Sequence, residues 1–168
     1  LDQSPARKVL IDHHLGPDVD AAVMVSHPEA SSTCALVFRV VWQLGCLDKL
    51  DKHFAAPIYC GMMTDTGGFT YNSNDCDVYF IVSQMLTKNI NKDKIYRNVY
   101  HTFSENRLRL TGYVLYEKLV VDAHHHASYF TLTRQDLKRF HFVKGDAEGL
   151  VNMPLQIKGH KLSISLTT

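Results

Sequence analysis

Asp12, His13 and His14 stand together directly after the apolar run Val9-Leu10-Ile11, so a carboxylate and two imidazoles lie where a buried strand would end. Open α/β sheets place their chemistry at that end of a strand. A second acid, Asp65, lies 52 positions beyond His13 (65 − 13), inside Gly61-Met62-Met63-Thr64-Asp65-Thr66-Gly67-Gly68-Phe69, where hydroxyls and glycines flank it. Carboxylates suit hard divalent ions, and imidazole adds affinity for transition metals such as Mn²⁺ over Mg²⁺. Two such ions about 3.5–4 Å apart generate a nucleophile at neutral pH and clamp a phosphoryl group, so this set of residues suits phosphoester hydrolysis. Either segment alone also has a plain reading: a helix cap followed by exposed histidines for the first, an Asx-type turn for the second.

The elements that must position these groups follow from pattern. Ser31 or Ser32 caps a helix whose Leu36, Val37, Val40, Val41 and Leu44 share one face, with Gly45 at its end. Between the Asp-His-His strand and that helix, residues 16–30 carry Pro17 and Pro28 and read as a loop over the site. Residues 48–56 are helical in character and lead into Ile58 to Met63, which pattern alone assigns to neither helix nor strand. Asn72-Ser73-Asn74 offers caps for a helix containing Val78, Ile81, Val82, Met85 and Leu86, and a further helix is expected over 92–100. Ser104 starts another. Past it, Leu119-Val120-Val121 and Ser128 to Leu132 read as strands around a solvated hairpin turn at His124-His125-His126. A short helical piece follows Thr133, Lys144-Gly145-Asp146 is a turn, and Leu162 to Leu166 alternate with period two.

Composition excludes several classes. With 45% hydrophobic residues in 168, the chain has material for a packed core. Eighteen Lys+Arg against 17 Asp+Glu leave no broad basic face for long nucleic acid, so a polyanion would be held locally. No apolar stretch approaches the roughly 20 residues of a membrane span, and no charged leader opens the chain, which points to a cytoplasmic protein without a membrane partner. Cys34, Cys46, Cys60 and Cys76 form no CxxC pair and are expected as reduced packing residues.

In this order and at this separation, Asp12-His13-His14 and the Thr64-Asp65-Thr66-Gly67 segment resemble motifs III and IV of the DHH phosphoesterase superfamily, which includes RecJ exonucleases, NrnA-type nano-RNases and family II pyrophosphatases. The segment from Glu148-Gly149-Leu150-Val151-Asn152 to Gly159 is similar to the opening of the DHH-associated substrate domain of NrnA-like proteins. The resemblance implies an α/β fold: a parallel sheet flanked by helices over 1–103, a linker helix over 104–118, and the start of a smaller α/β lobe over 119–168. It implies that His13 and Asp65 bind one of two metal ions, Mn²⁺ or Mg²⁺, and that His14 reaches the scissile phosphate. Asp12 is then the partner that fixes an imidazole tautomer. The His13 ring and the Asp65 carboxylate should face one shared cavity within about 6 Å of each other, with His14 on its rim.

The implied activity is metal-dependent hydrolysis of short oligonucleotides, linear dinucleotides or 3′,5′-bisphosphonucleosides, and a homodimer is compatible with it. The alternatives are a cyclic-dinucleotide phosphodiesterase, an exopolyphosphatase, or a non-catalytic nucleotide-binding module. The superfamily's upstream His-x-x-x-Asp-x-Asp motif and its downstream Gly-Gly-Gly-His loop have no counterpart here. The expectation is therefore an internal portion of a protein about twice this length.

Overall fold

A computed structural model describes residues 4–168. The chain divides into two compact units, residues 1–99 and 100–168.

In the first unit, β1 (Val9–Asp12) pairs in parallel with β2 (Val23–Ser26), Asp12 opposite Ser26. The second strand lies inside the stretch expected to be a loop, and corrects that expectation. The apolar run there, Ala21 to Val25, is short, and the ten residues joining the strands hold no helix, where a parallel crossover usually carries one. Helix α1 (Thr33–Gln43) follows, capped by the Ser32 hydroxyl, which accepts from the Ala35 amide; Gly45 lies just beyond it with φ 65°.

Helix α2 (Lys52–Asp65) resolves the ambiguous apolar run. Its buried residues Ala55, Ile58, Tyr59, Met62 and Met63 recur at helical spacing and face α1 and α3 (Cys76–Leu86). Gly61 sets the approach of α1 and α2, since a Cβ there would collide with Cys34 Sγ and lie 3.2 Å from Cys34 Cβ. The cap of α3 is Asp75, which accepts from the Asp77 amide, rather than any of residues 72–74. Asn72 instead adopts φ 47°, in the preceding turn. Helix α4 (Lys92–Tyr100) falls where expected.

In the second unit, α5 (Glu105–Tyr113) runs into a π-helical turn over Val114–Lys118. Leu110 and Val114 are buried there with Phe130, Leu132 and Leu150, so the 104–118 segment supplies part of that unit's core. Strand β4 (Ala127–Leu132) pairs antiparallel with β3 (Val120–Asp122) and parallel with β5 (Leu162–Thr167). The three consecutive histidines form the turn between β3 and β4, and all are exposed. Helix α6 (Arg134–Arg139) begins in a capping box of Thr133 and Asp136. The Leu-Val-Asn segment lies in a 3₁₀ helix over Leu150–Gln156 that leads to β5. All four cysteines are free thiols.

Candidate metal and phosphate site

β1 ends on Asp12, and the turn after β2 holds what Asp12 leads into. The His27 amide donates to the Asp12 carbonyl at 3.1 Å, and the Ala30 amide donates to the His27 carbonyl at 3.0 Å. This places the Ala30 carbonyl 3.3 Å from His13 Nδ1, and the Asn72 side-chain amide approaches the same oxygen at 3.5 Å. The unanticipated strand therefore orients the first imidazole. A backbone carbonyl can only accept, so Nδ1 carries the hydrogen and the Nε2 lone pair points away from it.

That Nε2 lies 3.6 Å from Asp65 Oδ2, with the two side chains 19% and 39% exposed. The separation is too long for a hydrogen bond. In the neutral ring it sets two lone-pair acceptors against each other. Asp65 is also the last residue of α2, where the partial negative charge of the helix end repels a carboxylate. A cation between the two groups satisfies all three. For ligand distances of about 2.1 Å, donors 3.6 Å apart subtend about 118° at an ion (2 × arcsin(1.8/2.1)), an ordinary ligand angle. The pair thus fits one edge of a divalent-metal site.

Asp12 serves the other imidazole. Its Oδ1 accepts from His14 Nδ1 at 2.7 Å and from the His13 and His14 amides at 2.9 and 3.2 Å. The His14 side-chain hydrogen bond is the main reason the Asp12 carboxyl sits below the usual carboxylate range. With Nδ1 engaged, Nε2 is the His14 nitrogen left for a ligand, on a side chain 77% exposed.

Beyond Asp65 the chain is held by Thr66, whose buried hydroxyl donates to the Met62 carbonyl at 2.7 Å and accepts from the Phe69 amide at 3.0 Å. Thr64 donates to the Gly61 carbonyl. Thr66 closes the turn, and Thr64 bonds back within α2; both hydroxyls bond backbone.

The arrangement brings His13 and Asp65 together well inside the expected 6 Å. A cavity of about 210 Å³ in this unit is lined by Ala30, Ser31, Arg39, Asn72, Asn74 and neighbours, and by none of His13, His14 or Asp65. Among the described residues, the single group of three metal-ligand side chains with mutually close donor atoms is Asp75, Cys76 and Asp77. Asp75 is there occupied as a helix cap and Asp77 in an ion pair with Arg39 at 3.1 Å. The contributions of Ala30 and Asn72 to the site were missed from sequence. One acts through its backbone and the other sits 42 residues away from it (72 − 30), so neither left a motif.

Fold and site together define an α/β protein in which His13, just past the carboxyl end of a parallel strand pair, meets Asp65 in a geometry that would fit a divalent ion. No family model matches the chain. A curated protein of Streptococcus mutans, named as a probable bifunctional oligoribonuclease and PAP phosphatase NrnA, is 26% identical over 149 residues, covering 89% of this chain and 46% of that protein. An uncharacterised protein of Mycoplasma pneumoniae is 28% identical over 92 residues, 55% of this chain and 28% of that one. The crystal structure of an exopolyphosphatase-related protein from Bacteroides fragilis matches with a TM-score of 0.94 at 50% identity, over 98% of this chain and 48% of that one. The chain spans about half the length of these two better-covered relatives. These similarities support membership of the DHH phosphoesterase superfamily.

Proposed function

We propose that the protein is a cytoplasmic, divalent-metal-dependent phosphoesterase acting on short oligonucleotides, linear dinucleotides or 3′,5′-bisphosphonucleosides. The observation that carries this reading is the 3.6 Å approach of His13 Nε2 to Asp65 Oδ2 with His13 Nδ1 already committed to the Ala30 carbonyl. His13 and Asp65 would hold one of two ions, Mn²⁺ or Mg²⁺. Bound divalent ions of this kind lower the pKa of a water and neutralise charge on phosphoryl oxygens. His14, oriented through Nδ1 by Asp12, presents Nε2 to a phosphoryl oxygen. Ala30 keeps the His13 ring from turning, which preserves the angle of its lone pair towards Asp65.

The substrate class is supported by the Streptococcus mutans relative, whose name gives oligoribonuclease and PAP phosphatase activities. The structural relative named as exopolyphosphatase-related favours a second reading, hydrolysis of inorganic polyphosphate at the same centre.

The test is turnover by the intact protein of a dinucleotide, 3′-phosphoadenosine 5′-phosphate and polyphosphate, each with Mn²⁺ and with chelator. Chelator should abolish hydrolysis of whichever substrate is used, because the ions make the nucleophile. Turnover at the same rate without metal would overturn the mechanism.

A further inference from the structure

The loop that follows Asp65 is rigid, strained and topped by an exposed aromatic ring that the chemistry above does not use. Gly67, Gly68, Phe69 and Asn72 all take positive φ, at 55°, 74°, 65° and 47°. For Phe69 and Asn72 such a conformation costs energy, and it persists only where surrounding contacts fix it. Here they do. The Thr66 hydroxyl binds the Phe69 amide, the Thr66 carbonyl accepts from the Thr70 and Tyr71 amides at 2.9 and 3.2 Å, and the Thr70 hydroxyl donates to the Gly67 carbonyl at 2.8 Å. The Phe69 ring is anchored between Tyr59 and Tyr79, with centroids 5.7 and 6.4 Å away.

On this frame the Tyr71 ring rests against Gly67. A Cβ on Gly67 would collide with the ring at Cε1, so the ring's position requires the missing side chain. Tyr71 is nevertheless 57% exposed. Gly67 is two residues beyond Asp65, so the Cα against which the ring rests lies no more than about 7.6 Å from the Asp65 Cα (two Cα steps of 3.8 Å). The ring thus borders the turn that follows Asp65.

We propose that Tyr71 is a stacking platform for a nucleobase whose phosphate is held at the His13–Asp65 centre, a reading that rests on the phosphoesterase function above and assigns its substrate class to nucleotides rather than inorganic polyphosphate. An exposed ring fixed in advance is what base stacking uses, since every base offers a π face and no ordering of the platform has to follow binding. Polyphosphate has no group to use it.

Equilibrium binding of 5′-AMP and of ribose 5-phosphate to the intact protein tests this, because the two ligands share sugar and phosphate and differ in the base. AMP should bind more tightly. Tyr71→Ala should cut the AMP-to-ribose 5-phosphate affinity ratio about tenfold. Tyr71→Leu, which keeps bulk on Gly67 and removes the π face, should cut it as much, whereas Tyr71→Phe should preserve it. Equal binding of both ligands by the unsubstituted protein, or an unchanged ratio in the Ala and Leu variants, overturns the assignment. The ratio is read without turnover, so an enzyme without metal-dependent activity would sink the phosphoesterase reading in a separate measurement.

Discussion

Gly61 decides where Asp65 sits. It lies one helical turn before Asp65 on α2, and it is the point at which α2 meets Cys34 of α1. Replacing it with alanine has two opposed effects. Helix propensity favours alanine over glycine by up to about 1 kcal/mol. Against that, the new methyl would overlap Cys34 Sγ and lie 3.2 Å from Cys34 Cβ, inside ordinary van der Waals contact, and overpacking of this kind costs about 1–3 kcal/mol. Rotating the thiol away relieves the first contact and leaves the second, because Cβ is fixed to the helix backbone. The steric effect therefore wins, with a net destabilisation of about 1 kcal/mol. Urea denaturation of the Gly61→Ala, Cys34→Gly and double variants measures it, since glycine at 34 removes both the sulfur and the Cβ. The double variant should be more stable than the sum of the single losses implies, by at least about 0.5 kcal/mol, since the two sites are in contact. Gly61→Ala should also loosen the His13–Asp65 approach and weaken Mn²⁺ binding. A variant that gains stability, or two losses that add, would refute the close packing of α1 on α2.

Two further outcomes are expected. Burial pushes the Asp136 carboxyl up, but the Thr133 amide, the Tyr113 and Thr133 hydroxyls and the Lys118 ammonium together hold it well below the usual carboxylate range. A carboxylate depressed in the folded state contributes stability above its unfolded value, near 3.8, and loses it as pH falls towards the folded one. Asp136→Asn should thus cost about 2 kcal/mol at pH 7 and progressively less below about pH 4; an equal loss at pH 7 and pH 3 in urea titrations would show that charge is not the source. Asp12→Ala releases His14 Nδ1, and should lower kcat about 10- to 100-fold with Mn²⁺ affinity largely kept. Loss of Mn²⁺ matching that of His13→Ala would place Asp12 among the metal ligands instead.

Much of this fold was legible in the chain. The apolar stripe of α1, the capping signals at Ser32, Ser104 and Thr133, and the period-two run of β5 each state their element locally, and the structure forms each one. Strand β2 was not legible, because the short apolar run Ala21 to Val25 carries no period and, among the described residues, it pairs with β1 alone. The spacing of Ala55, Ile58, Tyr59, Met62 and Met63 does state a helix, but only when read back to the cap at Asp51; a window confined to 58–63 shows an unbroken apolar run. At the site, the pairing of His13 with Asp65 was carried by the motifs. What fixes their geometry was not, since the Ala30 carbonyl, the Thr66 turn and the Gly61 contact are products of tertiary packing.

Titration of Mn²⁺ into the intact protein and its His13→Ala, Asp65→Ala and His14→Ala variants, with turnover followed in parallel, tests the central claim most directly. On the proposed reading the first two substitutions each remove a ligand from the same ion, and they should weaken Mn²⁺ binding by similar factors and without adding in the double variant. His14→Ala should keep the metal and lose turnover, as expected for a contact made mainly in the transition state. Mn²⁺ affinity unchanged in His13→Ala and Asp65→Ala, or lost equally in all three variants, would contradict the assignment of the 3.6 Å pair as a metal edge.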